Sequence, residues 1–88
     1  MVGTLERTLP QFTERQREVV ELIAAGYSND EIGRRLGISA RTVKAHSDVL
    51  RQKLGCSRRR QIPLAYRATT GEDPLSRSLA SAQADAGD

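Results

Sequence analysis

The sequence has few of the residues that carry metal, redox or base-stacking chemistry. Its 88 residues include one cysteine, one histidine, one phenylalanine, two tyrosines and no tryptophan. One cysteine cannot form a disulfide within the chain, and one cysteine with one histidine cannot make a structural zinc site. Paired carboxylates, a Cys/His pair and a phosphate-binding glycine loop are also missing from the pattern. We therefore expect a protein that is not an enzyme and that uses no cofactor or metal.

Long apolar runs are missing as well. No stretch approaches the roughly 20 apolar residues that span a bilayer, and the first residues lack the basic and apolar regions of a signal peptide. We therefore expect a cytoplasmic protein with no membrane contact and an aliphatic core. Because aromatic residues do not alternate with the basic ones, single-stranded nucleic acid is a disfavoured partner.

Positive charge is abundant, but only in one part of the chain. The net charge is +3, yet residues 34–67 contain ten lysines and arginines against one aspartate, which is a local net charge of +9. Residues 1–33 and 68–88 each carry a net charge of −3. A nearly unopposed basic segment attracts polyanions, so it favours a partner that carries phosphates.

Capping residues and glycines predict four helices. Thr13 with Gln16 and Ser28 with Glu31 have the spacing of capping boxes, and Ser39 is a candidate N-cap for a third helix. Glycines that follow the apolar stretches are typical of helix ends. The first three predicted helices cover residues 14–25, 29–36 and 40–54. A fourth, arginine-rich helix follows Ser57 and runs to about residue 67 or 68.

The fourth helix is the least regular of the four. Ser57 could cap it, but Pro63 would then lie well inside it, so this helix either starts late or bends at the proline. Composition predicts a leader or linker at residues 1–11, a domain at residues 12–68 and a flexible tail at residues 69–88.

The third helix has two different faces. An apolar stripe of Val43, Ser47, Leu50 and Leu54 should face the core, while Arg41, Lys44, Ala45 and Asp48 lie on the opposite side. Only Gly37, Ile38 and Ser39 separate this helix from the second, and Gly33 is small where the two should cross. We therefore predict an all-α, compact four-helix domain that contains a helix-turn-helix, the second helix of which can enter the DNA major groove.

The segment "FTERQREVVELIAAGYSNDEIGRRLGISARTVKAHSDVLRQKLG", residues 12 to 55, resembles the DNA-binding domain of the LuxR family of bacterial transcription regulators, which includes many response-regulator output domains. The resemblance covers about residues 12 to 68. Four positions depart from the family pattern: Ser47 replaces a usual aliphatic residue, Val49 a more polar one and Asp30 a frequently basic one. Pro63 is unusual inside the last helix. The resemblance implies sequence-specific binding of double-stranded DNA, with a homodimer formed through the last helix on an inverted repeat.

Site residues follow from this resemblance and from the chemistry of base edges. Lys44 can donate to guanine, and the methyl group of Ala45 can contact a thymine methyl. Asp48 could accept from a cytosine amine, repel phosphates in a wrong register, or simply pair with Lys44 in solvent. Expected phosphate contacts are Ser39, Arg41, Thr42, His46, Arg51, Lys53, Arg58 and Arg59. Expected dimer contacts are Leu64, Tyr66 and Arg67.

Two other function classes are consistent with the same sequence. The fourth region of sigma factors uses a related helix-turn-helix and would add RNA polymerase as a partner. A protein-interaction domain could also have kept this fold without binding DNA. The chain itself is expected to be either a truncated output domain or a natural single-domain regulator.

Overall fold

The computed structural model describes residues 11–75, and within that range the chain is all helical with no strand. The described residues form four helices, which are α1 at Glu14–Ala24, α2 at Asn29–Leu36, α3 at Ala40–Leu54 and α4 at Ile62–Thr70. A short 3-10 turn at Arg59–Gln61 precedes α4. The predicted all-α, four-helix class is confirmed. The leader predicted at residues 1–11 and the tail predicted up to residue 88 lie largely outside the described residues.

Both predicted capping boxes are present. The Thr13 hydroxyl accepts from the Gln16 N–H at 3.1 Å, and the Gln16 side chain accepts from the Thr13 N–H at 3.0 Å. Ser28 and Glu31 make the equivalent pair at 3.2 and 2.9 Å. The backbone N–H of Ser28 stabilises the ionised carboxylate and lowers the pKa of Glu31. These bonds satisfy N–H groups that have no partner inside a helix, so they set where α1 and α2 begin.

The core is aliphatic apart from one tyrosine. α2 packs mainly against α3, whereas α4 contacts both α1 and α3. Each helix therefore contributes side chains to one continuous core. These are Val19, Val20 and Ile23 from α1, Ile32 from α2, Val43 and Leu50 from α3, and Ile62 and Tyr66 from α4.

The turn between α2 and α3 is short and tightly packed. Gly37 ends α2 in the left-handed conformation with φ of 71°, and the Ile38 N–H donates to the Gly33 carbonyl at 2.9 Å. Gly33 is buried, and a Cβ atom added to it would lie only 2.5 Å from the Ile38 carbonyl oxygen. The absence of a side chain at Gly33 therefore allows the close approach that the predicted helix-turn-helix requires.

The predicted start of the fourth helix at Ser57 is wrong. Instead of capping a helix, Ser57 donates its N–H to the Gln61 side chain at 3.1 Å, as does Arg58 at 3.0 Å. α4 begins at Ile62, which places Pro63 in the first turn. Proline is well tolerated there because the first N–H groups of a helix have no intrahelical acceptor. Of the two alternatives that Pro63 raised, the late start is therefore the correct one.

The last helix also continues past its predicted end. α4 runs to Thr70, and the Thr70 hydroxyl donates to the Tyr66 carbonyl at 2.8 Å and accepts from the Glu72 N–H at 3.1 Å. The Tyr66 hydroxyl donates to the Glu72 carboxylate at 2.9 Å. Burial is the main cause that raises the pKa of Tyr66, and this hydrogen bond is the second. The helical domain therefore includes two residues that composition had assigned to the tail.

Candidate nucleic-acid interface

One side of α3 is open to solvent because the other side is fixed to the core. Val43, Ser47 and Leu50 are buried, at the i, i+4, i+7 spacing of a single helix face. The serine in this stripe is only 5% exposed, and its hydroxyl donates to the Lys44 carbonyl at 2.8 Å, so the polar replacement is satisfied. We call the opposite side the outer face of α3, defined by Arg41, Thr42, Lys44, Ala45 and Asp48.

The N-terminus of α3 lies at one end of this face. The Ser39 hydroxyl accepts from the Thr42 N–H at 3.1 Å and lies 2.9 Å from the Thr42 hydroxyl. Ser39 is therefore the predicted N-cap, and its side chain is already occupied in the free domain. The first turn of α3 carries no acidic residue, so the positive end of the helix dipole is not neutralised there and favours an anion.

An ion-paired triad occupies the other end of the outer face. Asp48 accepts from the Lys44 amine at 3.1 Å and, through its second oxygen, from the Arg51 guanidinium. Lys44 and Asp48 are 67% and 41% exposed at their side chains, and Arg51 is 34% exposed. The hydrogen bonds from Arg51 and then Lys44 lower the pKa of Asp48. The carboxylate is thus ionised at neutral pH and holds both cations.

Three of the predicted phosphate contacts have acceptors within the domain. The second nitrogen of the Arg51 guanidinium donates to the Ser57 carbonyl at 3.0 Å. The Lys53 amine donates to the Gln11 carbonyl at 2.7 Å and to the Gln16 side chain at 3.1 Å. Arg59 donates to the Tyr27 carbonyl at 2.8 Å. These bonds connect separate segments of the chain, and they give the three cations a stabilising function in the free domain.

The remaining predicted site residues lie on α3, in the segment between α3 and α4, and on α4. His46 is half-buried and Arg58 is exposed. On α4, Leu64 is 74% exposed whereas Tyr66 is only 3% exposed. Arg67 is exposed. Since Tyr66 belongs to the core, Leu64 and Arg67 are the members of the predicted dimer contact that face outward.

A groove lies next to the exposed leucine. It has a volume of about 390 Å³ and is formed by the end of α1, by α4 and by the segment after α4; its lining includes Ile23, Pro63, Leu64, Arg67, Pro74 and Leu75. Leu75 is 43% exposed. This is an apolar surface with arginine at its margin, on a different element from the outer face of α3.

Two contacts in the structure were not predicted from the sequence: a buried glutamine that accepts from a lysine, and an arginine that lies over a tyrosine ring. Gln16 is 8% exposed, and its carbonyl oxygen accepts from both Thr13 and Lys53. The Arg35 guanidinium lies 4.0 Å from the centre of the Tyr27 ring. The capping-box spacing identified Gln16, but no local signal connects it with a lysine 37 residues later.

Within the part of the chain that the structure describes, no helix is long and apolar enough to cross a membrane. Over the same residues, no group of three or more histidine, cysteine, aspartate or glutamate side chains is arranged to hold a metal ion.

Comparison with known proteins connects this geometry with a family. The family model for bacterial regulatory proteins of the luxR family matches residues 10–65. YhjB of Escherichia coli (strain K12), named as an HTH-type transcriptional regulator, is 47% identical over 55 residues, which cover 62% of this chain and 28% of YhjB. The HTH-type transcriptional regulator MalT of Yersinia pestis (strain Pestoides F) is 45% identical over 60 residues, covering 68% of this chain and 6% of MalT. The chain therefore spans less than a third of the length of these relatives. No solved structure matches it.

Proposed function

Because the chain belongs to the luxR family of bacterial regulatory proteins, we propose that it binds double-stranded DNA of specific sequence as a cytoplasmic transcription regulator. The observation that carries this proposal is the outer face of α3, which is exposed, follows the turn of a helix-turn-helix and lies in a segment of net charge +9. A helix presented in this way fits the major groove, which is wide enough to admit it.

The outer face divides into base and phosphate contacts. Lys44 is exposed and long enough to donate to guanine O6 or N7, and Ala45 offers a methyl group at the adjacent position. Arg41, Thr42 and the first backbone N–H groups of α3 lie closer to the helix N-terminus, where phosphates are favoured. We keep half-buried His46 and exposed Arg58 as further phosphate contacts. Lys53 and Arg59 are left out of this set because each already donates to a backbone carbonyl of another segment.

Selection from a pool of random duplexes tests the function. We expect enrichment of a defined sequence, and a log-log slope of affinity against salt that corresponds to about four to six phosphate contacts per domain at about 0.9 each. A slope near one, or no enrichment at near-physiological salt, would instead favour a protein-interaction domain with the same fold. Co-purification with RNA polymerase core in place of enrichment would favour the sigma-like alternative.

Replacing Lys44 with alanine should weaken the preference for the selected duplex. Loss of a specific base contact costs about 1–3 kcal/mol of discrimination, so the ratio of affinities for the selected duplex and a single-base variant should fall about tenfold. Arg15→Ala is the matched control, because it removes one positive charge from the exposed surface of α1. Competition binding measures both variants. If Lys44→Ala and Arg15→Ala lost the preference equally, the loss would result from the removed charge and not from a base contact.

We also propose that two copies pair through α4 on an inverted repeat. A single α3 contacts too few base pairs for tight specific binding, whereas two related copies bind half-sites about 10 to 10.5 base pairs apart or a multiple of that distance. Leu64 is the most exposed large apolar side chain among the described residues. It borders the apolar groove beside α4, and such an exposed patch favours a partner surface.

Leu64→Glu should abolish cooperative binding without changing the affinity for a half-site. The added charge would be desolvated in a contact between copies, but it remains in water when one domain binds alone. Thr69→Glu adds the same charge on another side of α4 and serves as the control. Titration of a half-site and of the full inverted repeat gives the cooperativity directly. The dimer proposal fails if wild type binds the two duplexes with equal affinity.

A further inference from the structure

The basic segment contains a single acidic residue, and it belongs to the outer face of α3. Across residues 34–67 only Asp48 opposes ten lysines and arginines. Lys44, Asp48 and Arg51 follow each other at i, i+4 and i+7, and therefore form one stripe along the exposed side of the helix.

Each oxygen of Asp48 holds a different cation. Oδ2 accepts from the Lys44 amine, the main candidate for a base contact, and Oδ1 accepts from the Arg51 guanidinium. Arg51 also donates to the Ser57 carbonyl, so it is fixed from two directions. Lys44 donates to Asp48 and is the more exposed of the two cations. In the free domain the Asp48 carboxylate therefore binds the Lys44 amine, which is the group that would contact a DNA base.

Exposed ion pairs of this kind are weak and are exchanged readily. DNA can therefore displace Lys44 from Asp48, but the displaced carboxylate then faces the groove close to the phosphates. The unfavourable charge is compensated only where a base edge donates a hydrogen bond to it, and the cytosine amine is the donor that suits a carboxylate in the major groove. Where the facing base edge presents no amine donor, the compensation is missing.

We propose that Asp48 is a specificity-determining residue that lowers the affinity for non-cognate DNA by holding Lys44 and Arg51 away from phosphates. This inference rests on the proposed function of the same surface. This role differs from that of a base contact, because Asp48 lowers the affinity for every non-cognate sequence. Discrimination against wrong partners through an unpaired charge is a general means of obtaining specificity.

Asp48→Asn tests this proposal, since it removes the charge and keeps the size of the side chain. In the full chain, the variant should bind a duplex of unrelated sequence about tenfold more tightly at 0.1 M salt, because one additional phosphate contact contributes about 0.9 to the log-log salt slope. The slope itself should steepen by about one. Affinity for the selected duplex should rise less or fall, so that the ratio of the two affinities decreases.

Two further variants separate this mechanism from a general effect of net charge. Asp30→Asn makes the same charge change on α2, at an exposed position off the outer face, and should leave the affinity ratio near that of wild type. In a chain that already carries Lys44→Ala, the gain from Asp48→Asn should shrink, because the released amine is then absent. Circular dichroism melts of each variant establish that the binding measurements compare folded proteins.

The outcomes distinguish the inference from the proposed function. If wild type shows a duplex preference and Asp48→Asn leaves non-cognate affinity unchanged while weakening only the selected duplex, the inference is overturned and Asp48 is a direct base contact. If neither wild type nor Asp48→Asn binds any duplex at low salt, the proposed function fails and the inference fails with it. Non-cognate binding gained by Asp48→Asn alone supports the inference.

Discussion

Gly33→Ala should lower the free energy of unfolding by about 3 kcal/mol, at the upper end of the usual cost of overpacking. The added Cβ would lie 2.5 Å from the Ile38 carbonyl oxygen and 3.3 Å from the Ala40 nitrogen. Both are backbone atoms, so no flexible side chain can move aside. Relief requires α2 and α3 to separate, although the Ile38 N–H is bonded to the Gly33 carbonyl. Urea denaturation followed by circular dichroism gives the change.

Gly37→Asn is the matched control for this substitution. Gly37 lies in the same turn with φ of 71°, and a Cβ there meets nothing within 4 Å. Asparagine enters the left-handed region more readily than most residues, so the free energy of unfolding should fall by less than about 1 kcal/mol. If Gly33→Ala unfolded at the same urea concentration as Gly37→Asn, the two helices would not approach as closely as the structure places them.

The starts of the first three helices could be predicted because their determinants are local. Thr13, Ser28 and Ser39 cap the first three helices from within four residues of their bonding partners. The apolar stripe of α3 was predictable for the same reason, since spacing along one helix determines which side chains share a face. The sequence predicted the helix-turn-helix and its outer face because both depend on neighbours in the chain.

Contacts between distant segments were not predictable from these signals. Lys53 was expected to contact phosphate, yet its amine donates to the Gln11 carbonyl and the Gln16 side chain. Arg59 likewise donates to the Tyr27 carbonyl, 32 residues earlier. A cation in a basic segment has the same local pattern whether it faces solvent or a carbonyl oxygen of another element. Only the packing of the helices decides which acceptor is near.

The start of α4 shows how a correct local rule can select the wrong residue. Ser57 is a good capping residue by type, but the Gln61 side chain accepts from the Ser57 N–H instead. Pro63 was the better signal, because proline favours the first turn of a helix. For Asp48, the i, i+4 spacing predicted the pairing with Lys44 as one of its roles, but it did not predict the second hydrogen bond, from Arg51.

Leu50→Ala should lower the free energy of unfolding by roughly 2–5 kcal/mol and thereby abolish DNA binding. Leu50 is 0% exposed, and it belongs to α3, which contacts α1, α2 and α4. Truncation removes apolar contacts and leaves a cavity that the three surrounding helices fill only in part. A domain of this size has a small free energy of unfolding. A large fraction of Leu50→Ala molecules should therefore be unfolded at the temperature at which wild type binds DNA.

The neighbouring residue provides the control that separates folding from recognition. Val49 is 40% exposed, and Val49→Ala should change the free energy of unfolding by less than about 0.5 kcal/mol. Duplex affinity of Leu50→Ala should recover on cooling towards the temperature of maximum stability, in proportion to the folded fraction measured by circular dichroism. If Leu50→Ala stayed folded and still failed to bind, the outer face of α3 would depend on Leu50 for its orientation as well as for its stability.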